Sequence, residues 1–410
     1  MFNSSSMFQG FKGKRKGKIW QLFRATDFVS LMYPCFSFCR ILGIFPYKIN
    51  ATTIKTCKPR YILSTIIICV FCILELINLY DFNISKNYVT ENVGTPELID
   101  FNSTHTVGGF IVVTTFILSR LRMRFLKTIL EVSLKLPTKS YQNLSRLIHA
   151  KDIIGFFYIV VQIPIYFSLE LSVLRKSLLL YIVLLDLQMN TLYMNCVCIL
   201  KACFKQINDN LVNLQELVTK DEPYLLSGTY HEQRIPFLLM EIIALKKQHL
   251  AISDAVRMLK MIFSLQLVST ILMAFIQITI KLYYYLMKIH GAEPISNEEK
   301  DMYYEACIRT ATYYSIELGL IVWACETGKN QAMEISCTVH DVFNSASNKQ
   351  IKYEMRLFSL QLSHCENTFS AKGLTVDATL LTAMVSGITT YVLILIQFLY
   401  MSSSCNGKSI

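Results

Sequence analysis

Three polar side chains with helical spacing lie in the last apolar run of the chain. Ser386, Thr390 and Gln397 are separated by four and seven residues within segment 380–401, which carries no charged residue. On an α-helix this spacing places them along one stripe. A membrane-spanning helix with one thin polar stripe either hydrogen-bonds to another helix or faces water in a pore.

Charged residues also interrupt other apolar runs, where each of them is energetically costly and requires a reason. Asp186 lies deep in its run, Glu317 is one turn from Tyr313, and Lys281 follows Gln277 by one turn. The complete set is Glu75, Glu170, Asp186, Lys281, Arg309 and Glu317. One interpretation is that Asp186, Glu317, Lys281 and Arg309 pair with one another as structural bridges.

The other interpretation is a small-molecule pocket, open to the outside and walled by helices two to six. Aromatic faces and a few convergent polar groups are what such a site needs. The candidate ligand-binding residues are Tyr166, Asp186, Gln188, Gln277, Tyr313, Tyr314 and Glu317.

Catalytic and metal-binding patterns give little support to an enzyme. The seven His residues are scattered, and no HExxH, nucleophile elbow, P-loop or glycine-rich dinucleotide turn occurs. His340 and Asp341 form an isolated pair, while Cys196 and Cys198 have no second ligand pair at metal-binding spacing. We therefore predict a protein that is not an enzyme and has no metal site and no cofactor.

Composition indicates a polytopic membrane protein. Of the 410 residues, 53% are hydrophobic and 17% are charged, against about 45–50% and 25% for a soluble protein. The net charge of +11 is distributed over connections between apolar runs, which favours membrane topology over a nucleic-acid partner. The thirteen cysteines are an odd number, mostly inside apolar runs or predicted inner loops, so we predict no disulfide framework.

Seven apolar runs predict an all-α membrane protein with seven transmembrane helices. The bias of Lys and Arg toward the cytosol places the N-terminus inside the cell and the C-terminus outside. Segment 27–60 is interrupted by Pro34, Arg40 and Pro46, which predicts an interfacial or re-entrant element. The predicted spans are 61–80, 107–118, 152–171, 178–200, 261–286, 303–325 and 380–401.

The remaining segments complete the predicted organisation. Residues 1–26 form a cytosolic basic tail, 61–325 hold helices one to six with the pocket and their cytosolic helical extensions, 326–379 are a cytosolic anchor segment, and 402–410 are an extracellular tail. Asn83 and Asn102 lie in sequons of the first outer loop and are the predicted glycosylation sites. The sequon at Asn143 is on the inner side and should stay unmodified.

The ending of the chain carries a family resemblance. Thr390, Tyr391, Gln397 and Phe398 spell TYxxxxxQF, and 369–371 and 373–374 lead into the same helix. This pattern, with weaker similarity along the whole chain, resembles the insect gustatory receptor family. The resemblance implies a taste receptor of the plasma membrane that acts as a tetrameric ligand-gated cation channel, a homotetramer or heterotetramer. Its implied partners are a small-molecule tastant, cations and membrane lipid. The implied pore-lining residues are Ser386, Thr390, Ile394, Gln397 and Phe398.

Three other classes remain as alternatives. Insect odorant receptors share the architecture, although the TYxxxxxQF ending favours the gustatory branch. A G-protein-coupled receptor would have its N-terminus outside, and its Asp-Arg-Tyr and Asn-Pro-x-x-Tyr motifs are absent. A secondary transporter would show repeated halves with broken helices. Val392 stands where members resembling sugar receptors often have an acidic residue, which leaves fructose-like sugars, bitter compounds and amino acids open.

Overall fold

The computed structural model describes residues 23–49, 53–84, 95–168, 172–219, 228–290 and 297–406. Predictions that concern 1–22, Glu170 and the side chain of Tyr166 lie outside the described residues. The elements in chain order are α1 (Phe28–Ile41), β1 (Tyr47–Ile49), β2 (Ile54–Thr56), α2 (Lys58–Asn83), α3 (Thr95–Ile117), α4 (Ser119–Ser133), α5 (Thr138–Ser168), α6 (Val173–Thr219), α7 (Gly228–His290), α8 (Asn297–Ser345), α9 (Lys349–His364), β3 (Ser370–Ala371), β4 (Leu374–Thr375) and α10 (Ala378–Asn406).

Among the described residues, seven long helices coincide with the seven predicted spans, namely α2, α3, α5, α6, α7, α8 and α10. The predicted spans 107–118 and 152–171 run one and three residues past the ends of α3 and α5. The all-α membrane fold is therefore confirmed. Within the described residues, α2, α6, α7 and α10 are long and apolar enough to cross a membrane by length and composition. The pair α3 and α4, bent by 63°, makes a fifth span if it is counted as one. Polar residues such as Arg309 and Glu317 interrupt the apolar part of α8, which does not reach the same hydropathy.

The second long helix starts earlier than the sequence predicts. The predicted span 107–118 begins twelve residues after Thr95, the first residue of α3, so part of the predicted first outer loop is helical. Asp100 lies on this added part and accepts hydrogen bonds from Gln277 and Lys281 of α7. Because these partners satisfy the carboxylate inside the bundle, the polar half of α3 can remain helical and packed.

The basic connection after α3 is itself a helix. In α4, Phe125, Leu126 and Ile129 are buried, which is the spacing of one helical face. Arg122 is also buried, donates to the carbonyl of Thr115 at 3.1 Å, and stacks over the ring of Phe263 at 5.5 Å. Its charge is therefore used in packing, whereas Arg120 and Arg124 are exposed.

Segment 27–60 packs into the bundle. Asp27 and Ser30 form a capping box that starts α1, and the helix buries Phe28, Leu31 and Phe36. β1 and β2 then form an antiparallel hairpin. The contacts of α1 are with α5 and α6. The position of this segment relative to the bilayer stays a prediction.

Helices α6, α7 and α8 continue well beyond their predicted spans and pack together with α9. His249 of α7 is fully buried at this end of the molecule. The side-chain amide of Gln361 on α9 lies 3.2 Å from its Nδ1, and the amide of Asn367 lies 3.2 Å from its Nε2. One imidazole thus joins α7, α9 and the segment that leads into α10.

Candidate ligand site and pore helix

A buried polar cluster lies where α6, α7 and α8 meet. Asp186 of α6 accepts hydrogen bonds from the Thr270 hydroxyl at 2.8 Å and from the Asn190 amide at 3.2 Å. The same amide nitrogen of Asn190 donates to Glu317 Oε1 of α8 at 3.0 Å. Asp186, one turn before Asn190 on α6, therefore shares a neutral donor with Glu317. The structure thus brings together two of the predicted site residues.

Two acceptor atoms in this cluster lack a partner within the described structure. Glu317 Oε2 and Gln266 Oε1 are buried without a hydrogen bond, and Gln266 and Glu317 are only 3% and 4% exposed. A buried acceptor without a donor costs about 1–3 kcal/mol. The cluster therefore offers a place where a ligand or water that donates a hydrogen bond is stabilised.

Tyrosine rings form the side of this cluster that faces α5. The hydroxyl of Tyr313 lies 3.4 Å from Glu317 Oε1. Its ring stacks on Tyr158 with centroids 5.8 Å apart and meets Tyr314 edge-on at 5.0 Å. Aromatic walls next to buried hydrogen-bonding groups suit the recognition of a small amphipathic molecule.

The other predicted ligand residues lie elsewhere. Gln188 points to α1, where its amide is 3.1 Å from the carbonyl of Cys35. Gln277 donates to Asp100 Oδ1 at 2.8 Å and to the Thr104 hydroxyl at 2.7 Å. Neither amide has a contact with Asp186 or Glu317 in the described hydrogen-bond network. Gln188 and Gln277 therefore lie outside the polar cluster, in two separate places.

The alternative in which the buried charges pair with one another is not what the structure shows. Lys281 pairs with Asp100 at 2.5 Å, and Arg309 pairs with Glu305 of the same helix at 3.1 Å. Neither cation contacts Asp186 or Glu317 in the described ion pairs. Both carboxylates are instead held by neutral donors.

A further buried pair joins α2 to α3. His105 Nδ1 lies 2.6 Å from Glu75 Oε1, and the Asn78 amide lies 3.3 Å from the same nitrogen. Glu75, one of the charged residues that interrupt the apolar runs, is only 5% exposed. It is therefore an internal residue of the helix pair.

Several residues of the central cluster did not emerge from the sequence. Asn190, Thr270 and Gln266 are neutral, and such side chains are common in membrane helices. A usable signal existed for Asn190, because it follows Asp186 by four residues and shares its helix face. Thr270 and Gln266 required knowledge of which face of α7 meets α6.

The two predicted glycosylation sites lie against each other. The amide of Asn83, at the end of α2, donates to Asn102 Oδ1 at 2.8 Å, and the amide of Asn102 donates back at 2.9 Å. Asn83 is exposed, while Asn102 lies within α3 and is half-buried. Their modification stays a prediction.

The final helix shows a sharp division between its two faces. Met384, Ile388 and Val392 are buried against the rest of the chain. Ser386, Thr390 and Gln397 are exposed on the opposite side, within about 40° of one another at 3.6 residues per turn. Ile394 and Phe398 are exposed beside them, at 40% and 66%. The predicted polar stripe therefore has no packing partner within the described chain.

Helix α10 has local hydrogen bonds at its start and packs against α7 in its middle. At its start, Asp377 accepts hydrogen bonds from the hydroxyl and the backbone N–H of Thr379, and the hydroxyl above all holds the pKa of Asp377 below its usual range. In the middle, Tyr391 meets Phe275 of α7 edge-on, with centroids 5.7 Å apart. Gly387 lies against the Phe275 ring, because a Cβ atom added to this glycine would be 3.0 Å from that ring.

Neither a metal site nor a disulfide is formed by the residues that the structure describes. No group of three His, Cys, Asp or Glu side chains converges among them. The described cysteines are free, and Cys196 and Cys198 are buried within α6.

The long apolar helices define a multi-pass membrane protein, and sequence comparison identifies its family. A family model described as 7tm Chemosensory receptor matches residues 32–402. The chain belongs to this family.

Two curated relatives come from Drosophila melanogaster. The chain is 29% identical over 158 residues to putative gustatory receptor 28b, with 37% of this chain and 32% of the relative aligned. It is 26% identical over 151 residues to putative gustatory receptor 28a, covering 37% and 34%. The alignments span about a third of each relative's length. The resemblance to insect gustatory receptors is thereby confirmed.

Solved structures with the same fold are insect olfactory receptors. Olfactory receptor OR5 from Machilis hrabei aligns with a TM-score of 0.65 at 9% identity, covering 90% of this chain and 97% of that one. The structure of the same receptor in complex with eugenol gives 0.62 at 11% identity, with the same coverage. At this identity the likeness concerns the fold.

Proposed function

We propose that this chain is a gustatory receptor of the plasma membrane that acts as a ligand-gated, non-selective cation channel. Four copies, identical or mixed with a related chain, would surround an axis lined by α10, with each N-terminus in the cytosol. A small-molecule tastant would bind near the cluster of Asp186, Asn190, Thr270 and Glu317.

The observation that carries this proposal is the two-faced final helix. Ser386, Thr390 and Gln397 are exposed along a helix whose opposite face, with Ile388 at its centre, is buried. The hydroxyl of Thr390 donates to the carbonyl of Ser386 within the helix, but the amide of Gln397 exposed to hydrocarbon would be costly. Around a fourfold axis these side chains would face water instead, and the amide oxygens of Gln397 would replace part of the water shell of a passing cation.

Helix α7 supplies a physical route from ligand to pore. Its Thr270 donates to Asp186 in the polar cluster, and its Phe275, little more than one turn further along, packs against Tyr391 of α10. A ligand that favours a different arrangement of α6, α7 and α8 would therefore also change how α10 is held. It shifts the closed and open populations only by its differential affinity for the two states.

The fold also fits a second candidate, an odorant-receptor-type channel, because the olfactory receptor from Machilis hrabei aligns over 90% of this chain. That receptor was solved with eugenol, which makes volatile phenols useful test compounds. The TYxxxxxQF ending and the Drosophila relatives favour the gustatory assignment.

The test is expression of this chain alone in a heterologous cell, with currents recorded against sugars, amino acids, plant bitter compounds and volatile phenols. We expect a cation current evoked by one class of compound. In Gln397→Glu, we expect altered permeability ratios with normal surface expression. Wild-type permeability and gating in Gln397→Glu and Gln397→Ala would remove this residue from the pore.

A further inference from the structure

A basic groove lies between α5 and α6 at the end of the molecule where the basic connections are found. Its volume is about 540 Å³, within the roughly 300–1,000 Å³ of small-ligand sites. Polar groups of the groove come from both helices. Its lining includes Lys139, Ser140, Asn143, Lys201, Lys205 and Gln206.

The three lysines of this groove have no carboxylate partner among the described ion pairs. Lys201 lies over the ring of Trp323 at 5.5 Å, and Lys139 and Lys205 are exposed. Lys201 and Lys205 are one turn apart on α6, a spacing at which like charges destabilise a helix. The lining also contains a carboxylate, Asp209, but the three lysines outnumber it and the groove has a net positive charge. An anion bound between the lysines would relieve their repulsion.

The polarity of the groove changes along the helices. The amide of Asn195 on α6 donates to Asp152 of α5 at 3.1 Å, so these two residues lie opposite each other on the two antiparallel helices. Counting outward from that level, Leu147 of α5 and Lys201 of α6 come first and lie at about the same depth, whereas Lys205 and Lys139 come last. The inner part of the groove therefore combines apolar residues with Lys201 where the apolar run 178–200 ends, and its outer part is basic.

We propose that this groove binds the phosphorylated headgroup of an anionic membrane lipid. Lys201 and Lys205 lie within about 8 Å of the end of the apolar run at 1.5 Å per residue, which is the depth of the headgroup layer. Leu144, Leu147 and Ala202 provide a wall for the first part of an acyl chain. In the proposed topology this is the cytosolic leaflet, where anionic lipids are concentrated. A soluble phosphate would leave that wall without contact.

The test measures binding of dioctanoyl phosphatidylinositol 4,5-bisphosphate to the purified full chain by native mass spectrometry. Each lysine near an anionic headgroup contributes about fivefold in affinity. Lys201→Gln combined with Lys205→Gln should therefore weaken binding about 25-fold. Lys205→Glu, at an exposed position that does not endanger folding, should weaken it as well. The matched control is Lys247→Gln with Lys349→Gln, which removes the same charge from exposed positions outside the groove and should leave binding unchanged.

Two further probes distinguish the source of the phosphate. Inositol 1,4,5-trisphosphate has the headgroup without chains, and dioctanoyl phosphatidylcholine has the chains without net charge. Both should bind at least tenfold more weakly than the bisphosphate lipid. Equal affinity for either probe, unchanged binding in the groove variants, or an equal loss in the control would overturn the proposal.

Discussion

Glu317 offers the sharpest test of the ligand site, because one of its oxygens is used within the protein and the other is free. Oε1 accepts hydrogen bonds from Asn190 and Tyr313, whereas Oε2 has no partner within the described structure. Glu317→Gln keeps the size of the side chain and a carbonyl oxygen for Asn190. It replaces the unpartnered acceptor Oε2 with an NH2 group, which cannot accept a hydrogen bond from a donating ligand.

The loss of one hydrogen bond to a buried acceptor costs about 1–3 kcal/mol, so the half-activating ligand concentration should rise about 5- to 150-fold in Glu317→Gln. Folding should not suffer, because the carbonyl oxygen that remains can keep the contacts of Oε1 with Asn190 and Tyr313. The assay is a dose–response curve of ligand-evoked current, with surface labelling to count receptors.

Glu305→Gln is the matched control on the same helix. Glu305 is 65% exposed and forms an i,i+4 pair with Arg309, which contributes only about 0.3–0.5 kcal/mol. Its half-activating concentration should stay within about twofold of wild type. A Glu317→Gln curve that overlays wild type, or an equal shift in Glu305→Gln, would show that Glu317 has a structural role only.

Three further predictions concern other contacts. Phe275→Ala and Tyr391→Ala should show a coupling of about 0.5–1.5 kcal/mol in a double-mutant cycle on ligand-evoked opening, because the two rings meet edge-on. Additive effects of the two substitutions would contradict the proposed coupling through α7. Glycosylation gel shifts should depend on Asn83 or Asn102 and be unaffected by Asn143→Gln, and a shift lost in Asn143→Gln would reverse the topology. His249→Ala should lower the melting temperature, since it leaves the buried amide of Asn367 without its partner at about 1–3 kcal/mol, whereas Gln361 still donates to the carbonyl of Lys246. His340→Ala, at an exposed position, should not lower it; equal melting temperatures would contradict the role of His249.

The sequence was sufficient for the helices and for the polar stripe because both depend on local periodicity. Six apolar runs of 20 or more residues and the shorter run 107–118 located the seven long helices, and spacings of four and seven placed Ser386, Thr390 and Gln397 on one face of α10. Periodicity does not reveal which face of the helix is packed, and the structure shows that it is the opposite face, with Ile388.

The polar contacts between helices were less predictable, because they depend on which faces meet. Gln188 is close to Asp186 in sequence, but two positions along a helix turn a side chain by about 200°, and it contacts α1. Asp100 looked like a loop residue until its partner Lys281 was known. Composition cannot reveal such partners, since each is more than a hundred residues away along the chain.

The most direct test of the channel account compares cysteines on and off the polar stripe of α10. Thr390→Cys lies on the stripe, and Val385→Cys is also at an exposed position, at 67% exposure, but faces another direction. A positively charged methanethiosulfonate applied during ligand-evoked current should reduce the current of Thr390→Cys and react faster when the channel is open. Val385→Cys should be unaffected. Equal reactivity at both positions, or no modification at Thr390→Cys in a conducting protein, would contradict the claim that α10 lines the pore.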